Sequence, residues 1–232
     1  MLTRSQVQNK TKFTHFLNEK ECYIAEKIAK NNNVMFCGGY DDATRKILGI
    51  FADYDEPDCS KFPFACLKFT YRKQDGISHR DILGSLMGLQ IKRNSIGDII
   101  VNEGFSYVFA ENSVSTLVVS ELSKVGRVGV KVSIEENPVI NAEKKYLDIN
   151  GTVSSMRADA IISLVTKFSR SKAQSLISSK GIILNYEEIH DVSKHMKTGD
   201  IFSVQGYGKF VIDSIGANTK SGRIHILVRK YQ

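Results

Sequence analysis

Apolar residues near the start of the chain follow a helical spacing that a short strand pattern interrupts. Between residues 5 and 33 they recur at helical intervals among Lys, Glu and Ala, which predicts helix in two pieces. The run Val34–Cys37 is typical of a strand, and residues 41–51 predict a further helix. We therefore expect an N-terminal segment with helices and a strand, of α/β type, over residues 1–61.

From Phe62 onward the hydrophobic pattern changes repeatedly between the period of a strand and that of a helix. The predicted elements are a strand over 64–72, a helix over 78–89, strands over 98–101 and 105–110, a helix over 112–125 and a strand over 127–134. This β-α-β-β-α-β order predicts a ferredoxin-like unit over residues 62–135, in which a four-stranded sheet carries two helices on one face.

The strands of this unit also indicate which side chains share a face of the sheet. Large apolar residues alternate with polar ones, as Leu67 does with Lys68. We expect the large apolar side chains to lie against the helices, and Phe105, Tyr107 and Phe109 to lie there with them. The opposite face is then predicted to be open and basic, lined by Lys68, Arg72, Arg127 and Lys131.

A second module follows residues 136–151, which contain few apolar positions and predict a linker. In the module, residues 152–232, the stretch 154–159 is typical of a capped helix start. Ser169 is the expected N-cap of a second helix, which we expect to end at Gly181. Short apolar segments separated by glycine-containing turns then predict a small sheet, so the whole chain is of the α+β class.

Charge is distributed unevenly over these parts. Residues 1–151 carry 20 basic and 19 acidic side chains, whereas residues 152–232 carry 12 and 6, so most of the net charge of +7 lies in the last third. A basic segment of this kind indicates a polyanionic partner, either nucleic acid or an anionic membrane surface. The overall composition, 42% hydrophobic and 25% charged, is that of a globular protein.

Several classes of protein are excluded by the sequence. No apolar stretch is long enough for a membrane helix, and the polar start lacks the apolar core of a secretion signal. The four cysteines never form Cys-x-x-Cys pairs, so we expect reduced cysteines in a cytoplasmic protein, with neither a disulfide framework nor a zinc site. His190 and His195 lack the further ligands that a metal would need, and no cofactor is predicted.

The C-terminal module resembles a known RNA-binding domain. Arg157-x-Asp159, Ser169-Arg170-Ser171-x-Ala173, Gly181, Asn185 and Gly199-Asp200 follow the pattern of the ribosomal-protein S-four (αL) domain, although Ala158 replaces a larger aliphatic residue. The resemblance implies that the second helix and the turn after it bind structured RNA, and the start of this helix attracts phosphate through its free N–H groups. The predicted RNA-binding residues are Arg157, Ser169, Arg170, Ser171, Lys172, Gln174, Lys180, Asn185, Lys194 and Lys209.

The upstream part resembles the YlmH family, which combines an RRM-like region with an S-four domain. The similar segments are residues 36–45, residues 84–89 and Arg93-x3-Gly97-Asp98. The resemblance implies a cytoplasmic RNA-binding protein of the translation machinery, with rRNA or tRNA as ligand. It further implies binding to large ribosomal subunits that carry stalled peptidyl-tRNA, and a link to cell-division proteins. The basic sheet face predicted above is then a candidate second RNA surface.

Two other classes of function remain as alternatives. S-four domains often accompany pseudouridine synthases and methyltransferases, but residues 126–129 lack the Asp of the synthase motif and no glycine-rich cofactor loop is present. The segment 37–40 lacks the patterns of a nucleotide-binding loop and is interpreted as a structural turn. We therefore expect a non-catalytic protein, with an RNA-modifying enzyme or a cell-division adaptor as the alternatives.

Overall fold

The computed structural model describes residues 9–29, 33–140, 146–219 and 222–231. It divides the chain into two compact units, Met1–Ala142 and Glu143–Gln232. Each unit has buried apolar clusters of its own, as expected for parts of a chain that each enclose a core. Parts of the predicted first helix, residues 5–8 and 30–32, lie outside the described residues.

The N-terminal segment is a small sheet with one helix, and this corrects two helix predictions. Strand β1 (Lys12–Leu17), helix α1 (Glu19–Ala29), β2 (Val34–Cys37) and β3 (Lys46–Ile50) form an antiparallel sheet of order β1-β3-β2. Residues 12–17 and 46–50 were predicted as helix and are strands. The central strand β3 has four consecutive buried residues, and a short buried run of this kind has no periodicity that separates strand from helix.

The middle of the chain has the predicted order of elements. Strand β4 (Phe64–Thr70), helix α2 (His79–Gly88), β5 (Ile96–Asn102), β6 (Phe105–Glu111), helix α3 (Asn112–Glu121) and β9 (Lys131–Ile134) follow one another, and a short β7–β8 hairpin (Lys124–Val125, Val128–Gly129) precedes β9. The sheet is antiparallel with the order β5-β6-β4-β9. Helix α2 begins with a capping box between Ser78 and Asp81, which satisfies free N–H groups of its first turn.

The aromatic residues of β6 lie on the face of this sheet that we predicted to be open. Lys68 is paired directly with Tyr107, and Cys66 with Phe109, so these side chains share a face. Tyr107 and Phe109 are buried in a cluster with residues of the N-terminal segment, including Phe16. The prediction that Phe105, Tyr107 and Phe109 face the helices is therefore wrong. The reason is that both faces of β6 are covered, which the period of a single strand does not reveal.

The C-terminal unit packs two helices against a six-stranded antiparallel sheet. Its elements are β10 (Tyr146–Val153), α4 (Ala158–Thr166), α5 (Arg170–Lys180), β11 (Ile182–Leu184), β12 (Glu187–Ile189), β13 (Ile201–Val204), β14 (Gly208–Asn218) and β15 (Ile224–Tyr231), and the strand order is β10-β15-β14-β13-β11-β12. Strand β10 begins within residues 136–151, the range predicted as a linker. All eight of its residues pair with β15, so Tyr146–Gly151 belong to this sheet.

The cysteines differ from the sequence-based expectation in one respect. Cys37, at the end of β2, forms a disulfide with Cys59, the first residue of the short 3₁₀ helix Cys59–Lys61. This corrects the prediction that all four cysteines are reduced, and the reason is that β2 and the 3₁₀ helix pack together although 22 residues separate the two cysteines. Cys22 and Cys66 are free thiols, and burial raises the pKa of Cys66 to about 12.

Among the residues that the structure describes, no helix is both long and apolar enough to cross a membrane. Within the same residues, no cluster of three or more His, Cys, Asp or Glu side chains has the arrangement of a metal site.

Candidate nucleic-acid interface

A buried carboxylate joins the two helices of the C-terminal unit. Asp159, in the first turn of α4, is fully buried and accepts hydrogen bonds from three side chains. Arg157 Nε lies 3.2 Å from Oδ1, Arg170 Nε lies 3.0 Å from Oδ2, and Gln174 Nε2 lies 2.7 Å from Oδ2. Because Arg170 and Gln174 are four residues apart, both lie on the face of α5 that points to α4. These contacts fix the orientation of α5.

The electrostatics of this cluster favour the charged carboxylate. Burial by itself raises the pKa of Asp159, but the hydrogen bonds from Arg157, Arg170 and Gln174 outweigh it and hold the pKa well below its usual range. A group whose pKa is lower in the folded state stabilises the fold above the pKa that it has when unfolded, about 3.9 for Asp. That stabilisation is lost as the pH falls from this value toward the folded pKa.

We expect the C-terminal unit to lose stability below about pH 4, and part of this loss to depend on Asp159. The physical reason is that the unfolded chain takes up a proton that the buried, hydrogen-bonded carboxylate does not. The measurement is the urea concentration at the midpoint of unfolding between pH 3 and pH 6, for the wild type and for Asp159→Asn. The variant should show a shallower decline; equal declines in both proteins would contradict the assignment.

A second set of internal contacts involves Asn185 and Asp200, two residues of the S-four pattern that lie in turns. Asn185 has a positive φ of 48° after β11, and its side chain donates to Asp200 Oδ1 at 2.8 Å. Its Oδ1 accepts from the Ile201 N–H at 3.0 Å, and Asp200 in turn accepts from the Lys197 N–H at 2.9 Å. Asp200 is buried. Asn185 therefore joins two turns to each other, and this contact fixes the turn that follows β11.

The predicted RNA-binding residues thus fall into two groups. Arg157, Arg170, Gln174 and Asn185 make the internal contacts described above, and Ser169 caps α5 by accepting from the Lys172 N–H. The side chains of the second group lie at the surface or on aromatic rings. They are Ser171, Lys172, Lys180 and Lys194, which are exposed, and the half-buried Lys209, whose Nζ lies over the rings of Tyr186 and Tyr231. The structure confirms Ser169 as the N-cap and Gly181 as the end of α5.

The second predicted surface is not the open basic face that we expected. Lys68 is half-buried, forms an ion pair with Glu135 at 3.2 Å and lies over the ring of Phe105. Arg72 pairs with Asp75 at 2.8 Å. Arg127 and Lys131 are exposed, but Arg127 lies in the turn of the β7–β8 hairpin, outside the four-stranded sheet. Two of the four cations are therefore paired with carboxylates, and a third lies outside the sheet.

The N-terminal unit contains another buried carboxylate, that of Asp98. Here residues 36–45 contact residues 93–98, two of the segments that resemble the YlmH family. Asp98 accepts hydrogen bonds from Tyr40 Oη at 2.8 Å, from both the N–H and the hydroxyl of Thr44 at 2.6 Å, and from the Arg45 N–H at 3.2 Å. The Arg45 guanidinium donates to the carbonyl of Ile96 at 2.9 Å. Burial raises the pKa of Tyr40 and lowers that of Arg45. Tyr40, Thr44 and Arg45 therefore hold the turn that follows β2 on β5. The interpretation of residues 37–40 as a structural turn instead of a nucleotide-binding loop stays a prediction.

Sequence reasoning missed the aromatic residues beside α5. Phe168 and Tyr207 lie with ring centroids 5.5 Å apart at an angle of 78°, and with Lys172 and Lys180 they line a cavity on one side of the helix. Phe168 follows α4 and Tyr207 lies in the turn between β13 and β14, so only the tertiary structure brings them together. The one available signal was Tyr207 itself, an aromatic residue between two glycines and outside any periodic pattern.

The chain is similar to a protein of known name over most of its length. A Bacillus subtilis (strain 168) protein named ribosome-associated protein quality control protein P2 is 30% identical over 222 residues, which cover 94% of this chain and 86% of that protein. The family described as "Putative RNA-binding domain in YlmH" matches residues 57–140. The solved structure of cell division protein ylmH from Streptococcus pneumoniae matches with a TM-score of 0.53 at 19% identity, over 58% of this chain and 84% of that one, which indicates a shared fold.

Proposed function

The chain belongs to the YlmH family, and on this basis we propose that it is a non-catalytic RNA-binding protein that acts on the ribosome. The observation that carries the proposal is the similarity, over 94% of the chain, to a protein named for ribosome-associated quality control. We further propose that its ligand is structured rRNA or tRNA on the large ribosomal subunit, and that the C-terminal unit is an S-four domain.

The arrangement of charge in the C-terminal unit supports this function. The buried contacts of Asp159 hold α5 in place, while Lys172 and Lys180 on this helix and Lys194 in the loop between β12 and β13 are exposed. Among the described residues, no carboxylate lies within ion-pair distance of any of these three ammonium groups. A rigid helix with exposed, unpaired cations suits the phosphate backbone, which supplies most of the affinity in nucleic-acid binding.

The experiment that tests the proposal is sedimentation of the full chain with ribosomal subunits on a sucrose gradient. Migration with the large subunit supports it, and a position only at the top of the gradient argues against it. The solved relative named as a cell division protein favours an adaptor as the second candidate. An adaptor would retain its protein partner after treatment of the lysate with ribonuclease, whereas a ribosome-bound protein would lose its sedimentation.

We expect the double variant Lys172→Ala, Lys180→Ala to bind large subunits more weakly by roughly 1 to 3 kcal/mol, the scale of charge-assisted hydrogen bonds. The dependence of log affinity on log salt should also become shallower, by about 0.7 to 0.9 per lost phosphate contact. Neither side chain lies in the core, so folding should be retained. Affinity is measured from 50 to 200 mM salt, a range in which counterion release is large.

The matched comparison is the double variant Arg127→Ala, Lys131→Ala, which removes the same number of charges from the other predicted surface. A loss confined to the C-terminal variant supports the proposed interface. If only the N-terminal variant binds weakly, the contact surface lies in the unit that contains the family match at residues 57–140, and the C-terminal interface is wrong.

A further inference from the structure

We propose that the cavity beside α5 binds one unstacked nucleobase of RNA, an inference that rests on the RNA-binding function proposed above. The cavity has a volume of about 340 Å³ and lies within the C-terminal unit. Its lining combines aromatic rings, ammonium groups and polar side chains: Phe168, Lys172, Ser175, Leu176, Ser179, Lys180, Gln205 and Tyr207. A nucleotide offers a partner for each kind of group. Its flat base can stack on the aromatic rings, its phosphate can pair with the ammonium groups, and the edge of its base can form hydrogen bonds with the polar side chains.

The aromatic pair of Phe168 and Tyr207 lies at the margin of the core and is partly exposed. Phe202 and Phe210 form the aromatic stack of the core and are almost fully buried. Phe168 and Tyr207 are only half-buried; Tyr207 packs against that core from its margin, whereas Phe168 is not among the apolar residues that pack against it. Half-exposed rings that line a cavity are the groups on which proteins stack bases of single-stranded RNA.

The charges around the cavity suit the phosphate of a bound nucleotide. Lys172 Nζ lies 3.9 Å from the centroid of the Phe168 ring, so an ammonium group lies next to one of the two aromatic rings. Lys180 lines the same cavity from the end of α5. Among the described residues that line the cavity, none is acidic, which favours an anionic ligand over a cationic peptide. The exposed Gln205 offers an amide that could pair with the edge of a base.

The two faces of α5 therefore have different roles. Arg170 and Gln174 point to the buried Asp159, whereas Lys172, Leu176 and Ser179 line the cavity on the other side. A second cavity of about 470 Å³ shares Lys180 and Gln205 with the first, but it is also lined by the carboxylate of Glu188, so the proposed base site is the first cavity alone. The bases of an intact duplex are not accessible to such a cavity, and the proposed ligand is therefore an unpaired stretch of RNA.

The test compares RNA nonamers that carry bases with an abasic nonamer that carries the same phosphates, by fluorescence anisotropy with the full chain. The wild type should bind oligo(A) or oligo(U) more tightly than the abasic strand by about five- to 150-fold, the contribution of one base stacked on aromatic side chains. The double variant Phe168→Leu, Tyr207→Leu should lose this preference and keep its affinity for the abasic strand. Tyr146→Leu, which changes an aromatic pair on another part of the sheet, should behave as the wild type.

Equal binding of base-containing and abasic strands by the wild type would overturn the proposal, as would an unchanged preference in the double variant. If circular dichroism shows that the double variant is unfolded, the single variant Tyr207→Leu, in a turn, provides the test, and full retention of the preference overturns the proposal. Sedimentation with large subunits tests the RNA-binding function separately from the base site. If the chain binds subunits but shows no preference for bases, only the proposed base site is wrong. If it binds neither RNA nor subunits, the proposed function is wrong as well.

Discussion

Replacement of Asp159 with alanine is expected to lower the free energy of unfolding of the C-terminal unit by about 3 kcal/mol. The carboxylate is fully buried and holds Arg157, Arg170 and Gln174. Its removal leaves these donors without their acceptor, and it disconnects α5 from α4. The two guanidinium groups are partly exposed and regain some hydration, which keeps the loss near the lower end of the range for a broken buried pair. Urea unfolding measures the change.

The matched control is Asp148→Ala on β10. Asp148 also pairs with an arginine, Arg229, at 3.3 Å, but its side chain is 52% exposed. Exposed ion pairs contribute less than about 1 kcal/mol, so this variant should remain close to the wild type. Losses of similar size in the two variants would mean that burial of Asp159 does not determine its contribution. Because Arg170 also donates to Asp159, Arg170→Ala is expected to weaken folding as well as RNA binding. Lys172 and Lys180 are exposed, so their replacement tests binding without this effect on folding.

Removal of β10 is expected to have an effect of comparable or greater size. A fragment that begins at Glu143 retains the whole compact unit, whereas one that begins at Thr152 loses Tyr146–Gly151. The missing residues pair with β15, and Ile149 among them packs against the core. Full burial of an Ile side chain contributes roughly 1.5 to 3 kcal/mol, of which the half-buried Ile149 supplies a part, and each backbone hydrogen bond contributes about 0.5 to 1.5 kcal/mol. Since several such hydrogen bonds join these residues to β15, the shorter fragment should be less stable by at least about 3 kcal/mol.

Circular dichroism during urea unfolding of both fragments measures this difference. The longer fragment should unfold in one cooperative transition, because its core is separate from those of the N-terminal unit. A longer fragment that is unfolded in buffer would contradict the division into two units. Two fragments of equal stability would show that the pairing of β10 with β15 contributes nothing to the fold.

Sequence periodicity was sufficient where one face of an element is buried and the other is exposed. Helix α2, predicted over 78–89, and helix α5, predicted between Ser169 and Gly181, lie close to their predicted bounds. Periodicity failed for β3, because a strand covered on both sides has no polar positions to mark its faces. It also failed for the orientation of β6, since Tyr107 and Phe109 are covered by a segment that lies far from them in the sequence.

The candidate site shows the same division between local pattern and tertiary contact. Local sequence patterns were enough to predict the order of most elements from Phe64 onward, the basic character of the last third and the positions of the motif residues. No local pattern predicted that Arg170 and Gln174 bind Asp159 inside the unit, while Lys172 lies beside Phe168 and Tyr207. The physical reason is that the spacing of residues fixes which side chains share a helix face, whereas the packing of distant segments decides whether that face meets a buried carboxylate or solvent.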